Sequence, residues 1–409
     1  MRSGADTRLF LYVMTRGFSA FGSSLTFVVL PLALFETTQS TWLTSVLFAI
    51  RGVTYLLASL PLGLVADRFS PRTVLFAGDL FRSVAIIVLA LATLQTSTGG
   101  AMVLFASALI AIGLLTILSD SASASAIVSL VGKAGIERAQ VRLGVALGAG
   151  EIIGLSAAGV AVAILPYSSV LAINAGTLLV GAILLLIVVP RGHVKSAARK
   201  TTLPELLSGL DVIRGSTLLR GLTGLGMLDA FIQGGVFAQL VVLLSARPGN
   251  APEHIGWVYA TLSIGALIGS ALYRFAARWG SLLNFTSVVA IICCITVVLM
   301  GMSVPILVTA LLAGIWGVSA SMLMLAVTVS RQQRAAIEVQ GRAQAAGRML
   351  NFGVALPSGS ITFGAIATWI GPAPTFLLIG SLGVVTSLVI WHTTRVLLAH
   401  AMPREADAD

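Results

Sequence analysis

The chain has 409 residues, of which 57% are hydrophobic and only 10% charged, with a formal net charge of +10 and a mean hydropathy of +1.00. A soluble globular domain is about 25% charged. The composition therefore excludes a soluble enzyme, a disordered chain and a nucleic-acid-binding domain, and leaves a polytopic helical membrane protein.

A membrane-spanning helix needs about 20 mostly apolar residues. Such runs fall at 9–35, 42–65, 73–95, 101–127, 140–165, 168–190, 217–245, 255–276, 281–302, 305–329, 343–370 and 373–398, which predicts twelve spans. The first run follows a short basic lead, exceeds the apolar core of a signal peptide and has no A-x-A site after it, so it reads as a span. Between the sixth and seventh runs lie Arg191, Lys195, Arg199, Lys200, Arg214 and Arg220. Within that stretch Leu203-Pro204-Glu205-Leu206-Leu207-Ser208-Gly209-Leu210 reads as a short amphipathic helix with Pro near its first position. The expected organisation is a six-helix half over 1–190, a central loop over 191–216, a second six-helix half over 217–398 and a tail over 399–409.

Basic residues set the orientation. One alternate set of loops holds Arg2, Arg8, Arg68, Arg72, Lys133, Arg138, Arg142, the central segment, Arg274, Arg278, Arg331, Arg334, Arg342, Arg395 and Arg404, while the opposite set holds only Arg247. The positive-inside rule then predicts cytoplasmic termini and a cytoplasmic central loop, with anionic lipids as partners of the basic residues. Cys293 and Cys294 are neighbours in an apolar run and read as small reduced core residues. His193, His254, His392 and His400 all avoid the middle of a span, so no metal and no cofactor is expected. No phosphate-binding loop of the G-x-x-x-x-G-K-[ST] type occurs, so ATP is not the direct driver.

The two halves share a loop pattern. Gly63, Arg68, Phe69 and Arg72 after the second span align without a gap on Gly269, Arg274, Phe275 and Arg278 after the eighth. A fainter echo links Ile136-Glu137 with Ile337-Glu338. Parallel repeats of this kind mark two six-helix units related by an axis along the membrane normal.

At Gly63-x-x-x-Asp67-Arg68-x-x-x-Arg72 the chain resembles the major facilitator superfamily, whose signature loop joins helices two and three. It also resembles the branch containing the enterobactin exporter at Glu205–Leu210, at Leu219-Arg220, at Asn174-Ala175-Gly176 and at Gly341-Arg342. The resemblance implies an all-α fold of two pseudo-symmetric six-helix halves. It implies a latch at Gly63, Asp67, Arg68 and Arg72 that closes the inner face when the cavity opens outward. The chain departs from drug antiporters in two places. Gly150-Glu151-Ile152-Ile153-Gly154 lacks the usual Gly-Pro, and the fourth span carries Asp120 but no Arg.

Ionisable groups inside a membrane are costly and mark function. Arg16, Arg51, Asp79, Arg82, Asp120, Glu151 and Asp229 fall within predicted spans. Asp79 and Arg82 are three apart on one face, as a structural pair would be. Arginine does not titrate in the working range, so Arg16 and Arg51 read as fixed charges for an anionic group, with Gln233 and Asn351 as further substrate contacts. A buried carboxylate can load and release a proton, which makes Glu151, Asp229 and Asp120 the proton-coupling candidates. Gly144-x-x-x-Gly148, Gly150-x-x-x-Gly154 and Gly265-x-x-x-Gly269 suit close helix contact, expected where helices five and eight meet.

The expected function is proton-coupled export of a small anionic or amphipathic organic molecule, a siderophore first among them, by a monomer in a bacterial inner membrane. Alternatives are proton-coupled uptake of a nutrient anion and multidrug efflux. An integral-membrane enzyme predicts clustered His, Asp or Cys ligands, and the sequence has none.

Overall fold

The structure is a computed structural model that describes residues 2–66, 69–95, 98–132, 135–190, 203–247, 252–276, 281–302, 304–334, 343 and 346–401. Six long helices come first: α1 (Arg2–Thr38), α2 (Thr41–Ala66), α3 (Pro71–Ala92), α4 (Thr98–Val131), α5 (Ile136–Ile164) and α6 (Tyr167–Val188). A short helix, α7 (Leu203–Gly215), precedes α8 (Thr217–Ser245), α9 (Pro252–Ala276), α10 (Leu282–Gly301) and α11 (Ile306–Arg334). A π-helical turn, Met349–Ala355, runs into α12 (Leu356–Ile370), and α13 (Pro372–Ala401) ends the fold. Among the described residues there is no strand, and ten helices are long and apolar enough to cross a membrane. The apolar part of α9 is shorter, Trp257–Tyr273.

Packing repeats six spans on. In the first half α1 packs on α5 and α6, α3 on α4 and α6, and α2 on α4. In the second half α8 packs on α12 and α13, α10 on α11 and α13, and α9 on α11. Local signals repeat as well. Ser70 caps α3 by accepting from the Thr73 N–H, and Ser281 caps α10 by accepting from the Asn284 N–H. Each satisfies a backbone donor that the helix start leaves open.

Glycines set the tightest crossings. A Cβ at Gly150 would strike the Gly17 carbonyl and one at Gly154 the Phe21 carbonyl, which brings α5 against α1. A Cβ at Gly234 would strike the Leu356 carbonyl and one at Gly359 the Phe231 carbonyl, which brings α8 against α12. The α5 and α9 helices do meet, but their paired glycines do not make that contact. Gly150 and Gly154 face α1, Gly265 and Gly269 face α11, and Gly144 and Gly148 face open space. Small residues act here within each half.

Outward-facing positions are apolar, including Leu57, Ile164, Ile187, Leu307 and Trp369, as a lipid-facing surface requires. Many serine and threonine hydroxyls within the spans turn back to their own helices, as Thr15 does to the Leu11 carbonyl and Thr54 to the Ile50 carbonyl. Arg247, just past the end of α8, clamps the turn between α10 and α11. Its guanidinium donates to the Met300, Met302 and Val304 carbonyls and to Thr309 Oγ1, at 2.5, 2.7, 3.4 and 2.8 Å. Partial burial lowers its pKa from the ordinary arginine value.

Candidate functional site

The end of the bundle that carries the basic loops is called the basic face below. Two buried polar clusters lie between the basic face and mid-depth, one in each half.

In the first half, α1 brings Arg16, α3 brings Asp79 and Arg82, and α4 brings Asp120. Asp79 is fully buried between two guanidinium groups, 3.5 Å from Arg16 and 3.3 Å from Arg82. Arg16 continues to Asp120 at 3.7 Å, and Arg82 also donates to Ser23 Oγ at 3.0 Å. Nearby, the hydroxyls of Tyr12 and Ser123 are 2.6 Å apart. Two positive and two negative groups thus form one chain, sealed at Asp79 and open at Asp120, whose side chain is 59% exposed. A buried charge is tolerable when paired and hydrogen-bonded, which is why the two arginines and Asp79 can be sealed here. The sequence reading paired Asp79 with Arg82 in isolation. Their link to Arg16 depends on how α1 crosses α3, which spacing along one helix does not contain.

In the second half, α8 brings Asp229, which is only 3% exposed. Neither carboxylate oxygen has a nitrogen or hydroxyl hydrogen-bond partner among the described residues, and the polar group next to it is a thiol. Cys293 of α10 faces the carboxylate, and Ser319 of α11 faces Cys293. No ion pair with a basic side chain is described for Asp229. Asn351 is buried in the π-turn, its Oδ1 also without a partner among the described residues and its amide nitrogen next to Gly226 of α8. The π-turn ends where Pro357, lacking an N–H, enters α12.

The remaining candidates are spread out. Glu151 is exposed on α5 and follows Gly150, so it sits at the depth of Arg16 and Gly17. Gln233 is half-buried on α8. Arg51 and Gly63 lie on α2, and the Arg51 side chain is outside the described residues. In the loop signature, Asp67 and Arg68 are outside the described residues, while Arg72 is in the first turn of α3. The structure therefore brings together Arg16 and Asp120, and sets Asn351 against Gly226, one turn of α8 from Asp229.

Far from the basic face the two halves are joined. Gln239 of α8 donates its amide to the Thr41 carbonyl at 3.0 Å and to Ser45 Oγ of α2. Ser360 of α12 donates to the Ser45 carbonyl at 2.8 Å, and Gly364 leaves room for the Ser45 side chain. The Phe27 ring of α1 meets the Phe237 ring of α8 edge-on at 4.6 Å. Every hydrogen bond described between the halves converges on Thr41 and Ser45. The sequence gives no signal for this pairing, because a serine in an apolar helix looks the same wherever it points.

Residues 13–358 match the family described as Major Facilitator Superfamily. The chain belongs to the major facilitator superfamily. No curated protein sequence matches it. Among solved structures, this superfamily member is similar to a bacterial homologue of the human lysosomal transporter Spinster, captured inward-facing and unoccupied, with a TM-score of 0.74, 11% identity and coverage of 99% of this chain and 100% of that one. It is similar to the nucleoside transporter NupG, with a TM-score of 0.72, 14% identity and coverage of 95% and 99%. A D-xylose–proton symporter gives a TM-score of 0.72, 15% identity and coverage of 94% and 97%. At these identities the likeness speaks to the fold alone, an all-α bundle of two pseudo-symmetric halves.

Proposed function

We propose that this superfamily member is a proton-coupled secondary transporter that exports a small anionic or amphipathic organic molecule by alternating access. It sits in a bacterial inner membrane with both termini cytoplasmic, so the basic face is the inner one. The observation that carries the coupling is the contrast between two buried carboxylates. Asp79 is held by two arginines, and Asp229 by none among the described residues. A carboxylate sealed from water without a counter-charge is costly in its charged form. Asp229 therefore holds a proton while sealed and gives it up when water reaches it. The seal at Thr41, Ser45 and Gln239 on the outer side accords with an arrangement closed outward.

Arg16 remains our choice for the substrate's anionic group, with Arg51 and Gln233 as further substrate contacts. In this arrangement Arg16 is shared with Asp120. An incoming carboxylate displaces Asp120, the exposed partner, and leaves Asp79 in place. Asp120 and Glu151 then stand on the wet side of the route as secondary proton carriers. The Gly63–Arg72 loop acts as the inner latch in the opposite state. The test is flux in proteoliposomes under an imposed pH gradient, screening carboxylate siderophores and amphipathic drugs. Uphill movement that collapses with a protonophore supports the reading; flux indifferent to the gradient contradicts it.

A further inference from the structure

We propose that Thr223, Asn351 and Arg331 line a hydrated proton path from the basic face to Asp229, an inference that rests on Asp229 as the proton carrier. Buried polar groups in folded proteins nearly always have a partner. Among the described residues thirteen buried side-chain atoms have none, and seven of them belong to five residues of the second half: Thr223 Oγ1, Ser287 Oγ, Nε and Nη2 of Arg331, Asn351 Oδ1 and both oxygens of Asp229. All five residues are at most 4% exposed.

Their register places them in file. Thr223, Gly226 and Asp229 are spaced by three on α8, so each neighbours the next and the line winds about the helix toward Asp229. A Cβ at Gly226 would meet Val327 of α11 and the amide of Asn351. Gly347, four residues before Asn351, lies against the Arg331 guanidinium, which a Cβ there would strike. Arg331, Asn351 and Asp229 thus succeed one another inward, each step about one helical turn, roughly 5.4 Å. At each glycine a polar end comes against backbone with no side chain between, Asn351 at Gly226 beside Val327, and Arg331 at Gly347.

Groups a turn apart are bridged by single waters, each of which needs two to four polar partners. The file offers arginine donors at the mouth, an amide acceptor, a hydroxyl that both donates and accepts, and the carboxylate at its end. The fixed charge of Arg331 works against a resident metal cation and favours release of the proton toward the basic face. The titratable group set directly against Asp229 is Cys293 of α10, with Cys294 next to it in sequence. Among the described residues, α12 and α13 bring no charged group against it.

Infrared pH-difference spectroscopy on the purified full chain reads this without a substrate. The protonated-carboxyl band is assigned by its loss in Asp229→Asn, and its shift is timed after transfer from H2O to D2O. Asn351→Leu and the isosteric Thr223→Val should keep the band and slow the shift about tenfold, the effect of about 1.4 kcal/mol on a barrier. An unchanged rate in both variants overturns the path and leaves the proton on Asp229 standing. Absence of any band that depends on Asp229 overturns the carrier reading and the path with it. A band whose titration moves with added sodium overturns the path in favour of a metal-cation site.

Discussion

Gln239 holds Ser45 across the boundary between the two halves, and it does so on the side away from the basic loops. One side chain of α8 thereby spans two groups of α2, the Ser45 hydroxyl and the Thr41 carbonyl. Each hydrogen bond contributes about 0.5–1.5 kcal/mol net. Together they bias the transporter toward the state closed on that side, and little else polar joins the halves there among the described residues.

Gln239→Leu should therefore shift the population toward the state open on the side away from the basic loops roughly tenfold, since about 1.4 kcal/mol corresponds to that factor. Spin labels placed on the outer ends of α2 and α8 would report it as a longer distance becoming dominant. An unchanged distance distribution would mean that the Phe27–Phe237 contact and the apolar packing hold the seal without the amide.

The charge chain in the first half predicts two unequal carboxylates. Asp79→Asn leaves Arg16 and Arg82 without their buried counter-charge and should cost about 3–5 kcal/mol of stability. Asp120 is mostly exposed, and Asp120→Asn should cost about 0–1 kcal/mol. Thermal unfolding in detergent, followed by size-exclusion, separates them. Equal losses would place the two acids in equivalent surroundings and contradict the chain.

Gly359 lies against the Phe231 carbonyl with no room for a side chain. Gly359→Leu should drive α12 off α8 and cost more than the about 1–3 kcal/mol of ordinary overpacking, seen as lost folded yield. Gly144→Leu, where space is open, should be near neutral in the same assay.

Arg247→Ala removes four hydrogen bonds that hold the turn between α10 and α11. Charge-assisted bonds to carbonyls contribute about 1.5–3 kcal/mol, so a lower unfolding temperature is expected with no change in coupling. Lost coupling at unchanged stability would assign Arg247 a role in transport.

Much of the fold was legible in the sequence because it rests on terms that need no partner. Hydropathy over some 20 residues reports a span wherever that span packs, and the basic loops report which ends share a face. The paired loops at Gly63–Arg72 and Gly269–Arg278 announced the duplication that the helix packing repeats. What stayed hidden depends on partners from other helices. Arg331 looked like one more basic residue near a loop, although it is buried against Gly347. Asp79 and Arg82 looked self-sufficient until α1 brought Arg16 to them. The glycines of α5 and α9 showed close approach but not to which neighbour.

The central claim is that Asp229 carries the coupling proton, and the direct measurement compares two modes of transport in proteoliposomes. Asp229→Asn is neutral in every state, so it should still exchange substrate for substrate across the membrane. It should fail to concentrate substrate when a pH gradient is imposed. Uphill transport by Asp229→Asn at the wild-type level would contradict the account and return Asp229 to the packing of the second half.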